Sequence, residues 1–235
     1  MSRIVRALGM IAVVSLLAAC QSMPTQGYNK SASNIHSVGI APLGIPAQPV
    51  VQILAPVGAN FGLIGGLIEA GRAADASKEL QDIFGKTGYD YRKDVADSLS
   101  MSLAAASLPV SSIAGERPAK EQFKFLGTCP SAPGADACLD VFVTFFGYMA
   151  AGATTDYVPT VKLTARMVRN SDSKLLFQDQ VEYNSLAGSK AIVVQPSDKY
   201  RFKDRDAMKA DPQRVTAGMQ EAVRAAMDEL AKQFM

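Results

Sequence analysis

The stretch LDVFVTFFGYM, residues 139–149, is apolar at nearly every position. Strand-forming residues without alternation describe a central strand covered on both faces. Two alternating segments follow it. VPTVKLTARMVRN, 158–170, sets Val161, Leu163, Ala165 and Met167 against Lys162, Thr164 and Arg166. KLLFQDQVEYN, 174–184, puts Leu175, Phe177, Val181 and Tyr183 on one side. NSDSK between them is a turn, so the two predict an antiparallel hairpin with one wet face.

Earlier segments add to this frame. IHSVGIAPL, 35–43, and VVQILAPV, 50–57, read as short strands bounded by proline and glycine. Phe61, Ile64, Leu67, Ile68, Leu80, Ile83 and Phe84 recur at helical spacing, with Asn60 as N-cap and Gly85 and Gly88 as the stop. Residues 89–106 place Tyr91, Val95, Leu99, Met101 and Leu103 roughly on one helical face, and VSSIAG after Pro109 reads as another short strand. At the end, Asp211 caps a helix, Pro212 fits its first turn, and Val215, Met219, Ala222, Val223, Ala226, Met227 and Leu230 form one stripe. The fold class is α+β. We expect a two-layer domain, a mainly antiparallel sheet of about five strands on two to three helices.

The N-terminus carries an address. Arg3 and Arg6 precede an apolar run from Ala7 to Ala19, long enough for a signal-peptide core and too short to span a bilayer. The run ends in Leu17-Ala18-Ala19-Cys20. This resembles the lipobox of bacterial lipoproteins. The resemblance implies a signal peptide over 1–19, cleavage before Cys20, and acylation of Cys20, giving a palmitate-type membrane anchor. An ordinary signal peptide or an uncleaved membrane helix is the alternative. In enterobacterial lipoproteins Asp after the cysteine favours the inner membrane, so Gln21 points to the outer membrane. Residues 20–34 read as lipid anchor and flexible tether, and 35–235 as a single periplasmic domain.

The signal holds two of the 24 basic residues and none of the 22 acidic ones, leaving the mature chain balanced. That argues against a nucleic-acid partner. Cys129 and Cys138 remain after Cys20, separated by turn formers and small residues. Export favours a disulfide between them. A metal or redox pair is the other reading, but the spacing fits neither, and His36 is the sole histidine. We expect no metal and no cofactor.

The lipobox, VGIAPL, FGLIGGLIEAG and the ending DKYRFKDRDAMKADPQRVTAGMQEAVRAA together resemble a family of uncharacterised proteobacterial envelope lipoproteins. The layout is more distantly similar to penicillin-binding-protein activator lipoproteins and the curli secretion lipoprotein. No functional residue of those proteins can be matched here.

Apparent catalytic motifs fail on context. Lys86-Thr87-Gly88 and Ser171-Asp172-Ser173-Lys174 have the letters of penicillin-recognising boxes, in reversed order and without the third box. Gly85-Lys86-Thr87 lacks the upstream glycine of a phosphate-binding loop. Asp94 with Asp97, and Asp204 with Asp206, nominate no acid/base pair. We expect no catalytic residues.

Two features invite binding. In DKYRFKDRD, 198–206, an extended chain would put Lys199, Arg201, Lys203 and Arg205 on one face and Tyr200 and Phe202 on the other. That patch would suit an anionic ligand such as a lipid head group. A solvated segment balanced by its own acids, with the rings in the core, is the plainer reading. Within 58–74, Gly58, Gly62 and Gly66 recur at every fourth position, the spacing of close helix contacts. The apolar stretch around them is shorter than the roughly 20 residues of a span. Packing on the sheet, a loose lead-in or contact with a partner remain for it.

The sequence thus favours a non-catalytic, lipid-anchored binding or assembly factor of the envelope with a protein partner. The alternatives are a membrane-embedding oligomer component using 58–74 and, more weakly, a cell-wall-active enzyme.

Overall fold

The computed structural model describes residues 23–54, 62–130, 132–185 and 189–235, with the side chains of 62–70 excepted. The signal peptide, Cys20 and Gly58 lie outside these residues.

The elements run α1 (Lys30–Ser33), β1 (Val38–Ile40), β2 (Val50–Ile53), α2 (Gly62–Thr87), α3 (Tyr91–Ala105), β3 (Val110–Ser112), β4 (Ala137–Ala150), β5 (Val158–Arg169), β6 (Leu175–Tyr183), β7 (Ile192–Val194), α4 (Arg205–Ala210) and α5 (Pro212–Lys232). One seven-stranded sheet has the order β3-β1-β4-β5-β6-β7, with β2 also on β4. The long pairings, β4 with β5 and β5 with β6, are antiparallel, as expected for the hairpin. The short outer strands add parallel pairings, which brings the strand number above five.

β1 and β2 are two halves of one interrupted strand beside β4. Val38 pairs with Ala137, Gly44 bridges Phe142, and Val50 pairs with Gly147. Pro42, Pro46 and Pro49 break it because proline has no N–H for the ladder. Gly147 permits the second half to approach. Its φ is +148°, and a Cβ there would lie 1.9 Å from the Val50 carbonyl oxygen.

The unbroken apolar run of β4 is covered on both faces. Leu139, Val141 and Val143 face the main core. A register shift between Val143 and Phe145 makes Thr144 the strand's one exposed residue and returns Phe146 and Tyr148 to the same core. The α5 stripe predicted from spacing packs there, and all seven of its residues are fully buried. Asp211 accepts from Arg214 N, and Pro212 opens the helix. Leu80, Ile83 and Phe84 of α2 and Val95, Leu99 and Leu103 of α3 complete this layer.

Three expectations are corrected. Met101 is exposed, because the buried face of α3 follows Val95, Leu99 and Leu103 and continues through Ser98 and Ser102. Gly85 lies inside α2; the stop is Gly88, at φ +67°, with Tyr89 N donating to the Phe84 carbonyl. Within residues 24–34, expected in a flexible tether, the chain is tied to the domain at Gln26, Tyr28 and Ser33, although most of its side chains are exposed. Gln26 bridges Gln178 of β6, and α1 forms with Asn29 as its N-cap. The outer edge of β6 supplies backbone partners that no local pattern announces.

Candidate functional site

The second face of β4 carries the densest polar cluster. Asp140 has no exposed surface. Arg117 Nη1 donates to its Oδ1 at 2.7 Å, the Leu126 backbone N–H to Oδ2 at 2.8 Å, and Arg166 Nη2 to Oδ2 at 3.3 Å. Arg117 is also spent on the carbonyls of Pro42, Glu121 and Lys124, at 2.9, 2.7 and 2.6 Å. Arg166 stacks over Phe125 at 4.5 Å, and Phe125 meets Phe142 edge-on. These bonds lay residues 117–126 across the back of the sheet. The Cys129–Cys138 disulfide pins the chain beyond them to β4, and Cys138 packs with Ala41 and Leu126 in a small second core. A buried charge held by two guanidinium groups and a backbone N–H is a structural tie, because three donors already compensate it.

Close by, two open grooves meet at the end of β5. One is lined by Ser33, Asn34, Ala135, Asp136, Arg169 and Asn170. The other shares Arg169 and Asn170 and adds Thr128, Cys129 and Arg166. Arg169 donates to Asp172 and to the Ser33 carbonyl, both at 3.2 Å. Asp136 accepts from the backbone N–H groups of His36 and Ser37 at 2.8 and 3.0 Å. The His36 N–H bond, foremost, holds its carboxyl below the usual range, with help from Ser37 and against partial burial. His36 itself faces the Asn34 side chain. The grooves offer polar recognition. The Ser37 hydroxyl, 3.3 Å from Asp136, also donates to the Gly134 carbonyl, and Cys129 is in the disulfide.

The basic segment does not form the face expected of it. Residues 198–200 make a 3-10 turn and Arg205 begins α4, so the four cations do not alternate along an extended chain. Lys199 lies over the Tyr200 ring, Arg201 bonds Asp198 at 2.6 Å, and Lys203 sits 3.8 Å from Asp204. Arg205 turns to Glu79 of α2 at 2.8 Å, and this bond lowers the Glu79 pKa. Tyr200 and Phe202 are buried, as the plainer reading held.

Gly62 and Gly66 fall in the first turns of α2. What they pack against lies outside the described residues; among the described glycines, Gly218 and Gly44 sit at close approaches. A Cβ on Gly218 would meet Tyr148 Oη at 2.6 Å, and one on Gly44 would meet the Gln122 carbonyl at 2.2 Å. Among the described residues no helix is long and apolar enough to cross a membrane, and no group of three acids, histidines or cysteines is arranged to hold a metal.

Sequence reasoning missed Arg117, Asp140 and Arg166. The available signal was Asp140 itself, one acid inside a strand expected to be covered on both faces, which requires a buried partner.

No family model and no curated protein matches the sequence. Among solved structures, protein XCC0632 from Xanthomonas campestris, of family DUF330, is 12% identical over 90% of this chain and 88% of its own, with a TM-score of 0.43. The PelC dodecamer from Paraburkholderia phytofirmans is 10% identical over 88% and 95%, with a TM-score of 0.36. Lipoprotein GNA1162 from Neisseria meningitidis is 17% identical over 65% and 88%, with a TM-score of 0.21. At such identities and scores these likenesses assign the chain neither a family nor a function.

Proposed function

We propose that the chain is a non-catalytic binding or assembly factor of the bacterial envelope, anchored by lipid on Cys20 and facing the periplasm from the outer membrane. The observation that carries this reading is the order Arg3 and Arg6, apolar run, Leu17-Ala18-Ala19-Cys20. The domain behind it supports the non-catalytic part. Several of its buried polar side chains are engaged in structure: Ser102 with Asp228, Thr216 with Thr87, Thr160 with Asn184, Asp140 with two arginines.

The test is mass spectrometry of the N-terminal peptide from cells, with fractionation of the Cys20→Ser chain. A diacylglyceryl group on Cys20 and release of the variant to the soluble fraction are expected. An unmodified Cys20 refutes the anchor. A Cys20→Ser chain that stays in the membrane pellet favours embedding through 58–74 instead. Crosslinking in cells then identifies the partner.

A further inference from the structure

The chain joins the sheet almost immediately after Cys20. Gln26 and Gln178 exchange backbone hydrogen bonds of 2.8 and 2.9 Å. Their side-chain amides repeat the exchange: Gln26 donates to the Leu175 carbonyl at 2.7 Å, and Gln178 to the Pro24 carbonyl at 2.8 Å. Tyr28 then packs edge-on against Phe234, 5.5 Å between centroids. Four hydrogen bonds and a ring contact fix residues 24–28 along the outer edge of β6. Only four residue steps separate Cys20 from Pro24, a reach of at most about 14 Å. A free tether running to residue 34 would reach up to about 50 Å on the same scale.

We propose that the flank formed by the outer edge of β6 and by β7 lies against the bilayer surface, held there by the docked N-terminal segment. This rests on the reading that Cys20 carries the anchor. The docking decides which side of the domain meets the lipid, because so short a connection cannot pass around the sheet. The opposite edge, β3, is four strand spacings from β6, about 19 Å. The flank suits the contact: β7 turns Ile192 and Val194 inward to the core and leaves Val193 40% exposed, and Lys190 just before it is exposed. An apolar side chain beside a cation matches the boundary between acyl chains and anionic head groups. The opposite edge, at β3, is left directed away from the lipid.

The experiment uses chain 20–235 coupled through Cys20 to a maleimide lipid in phosphatidylethanolamine/phosphatidylglycerol vesicles. Chemical coupling makes the result independent of lipidation in cells, which the N-terminal peptide mass tests separately. A fluorophore is attached through an azide-bearing residue replacing Val193 or Ser111, both exposed, and quenched by a head-group quencher. Quenching at 193 should exceed that at 111 several-fold. Inserting twelve Gly/Ser residues after Cys20 should abolish the difference. Equal quenching at the two positions without the insert, or a difference that survives the insert, overturns the proposal.

Discussion

Arg117 and Asp140 form an ion pair at 2.7 Å with 2% and none of their side-chain surface exposed. The pair joins the segment over the back of the sheet to the middle of β4. Removing Asp140 leaves the buried Arg117 guanidinium without its carboxylate, which costs about 3–5 kcal/mol. Asp140→Ala should therefore destabilise the domain by that order in urea unfolding. Arg117→Met should also destabilise, although Arg166 and the Leu126 N–H still hold Asp140, and the Arg117→Met/Asp140→Ala double variant should cost less than the sum. Strict additivity would show that the two charges do not act together.

The disulfide holds the same segment from its other end. Closing so short a loop contributes roughly 2.5 to 3 kcal/mol in the chain-entropy model. The Cys129→Ala/Cys138→Ala chain should lose about that much stability and gain protease cleavage within 113–136. The helices should be unaffected, because α2, α3 and α5 pack in the main core. Loss of helical circular dichroism at 25 °C would contradict this division.

Gly147 sits where β2 crosses close to β4. Gly147→Ala must move the Val50 backbone, since its Cβ cannot share that space. We expect a loss of at least about 1–3 kcal/mol, the usual range for overpacking, and faster amide exchange at Val50–Ile53. Unchanged exchange there would mean the strand pair tolerates a side chain.

Asp136 ties the entry of β1 by accepting from His36 and Ser37. Its folded pKa is lowered, so its contribution is present above the unfolded carboxyl value of about 3.9 and is lost as pH falls through the folded value. The stability difference between the native chain and Asp136→Asn should be constant from pH 7 to about 5 and shrink below about pH 4. A difference that grows on acidification would reverse the sign and remove this assignment.

Much of the frame was legible because it rests on local periodicity. The apolar run of β4 and the seven-residue stripe of α5 report their own burial, and the alternation of β5 and β6 reports their core face; the face expected to be wet is covered instead, with Thr164 and Gln178 buried. The Asp211-Pro212 start of α5 reports its own cap. Residues whose role depends on distant partners were not legible. Lys199 to Arg205 read as one cationic face if extended, yet Arg205 belongs to Glu79 on α2 and Arg201 to the neighbouring Asp198. Gln26 looked like tether because a polar, aperiodic segment carries no sign of the strand edge it will pair with.

The sequence by itself determined the α+β class, the long antiparallel hairpin, the helix that covers it and the pair of cysteines left for a disulfide. Pattern and chemistry act there over a few neighbouring residues. Only the tertiary structure decided that β1 and β2 are one broken strand, that Asp140 is neutralised by Arg117 and Arg166, and that residues 24–28 lie along β6. Those choices join residues 23 to 154 positions apart. They are set by where unpaired backbone groups and buried charges find partners once the sheet has formed.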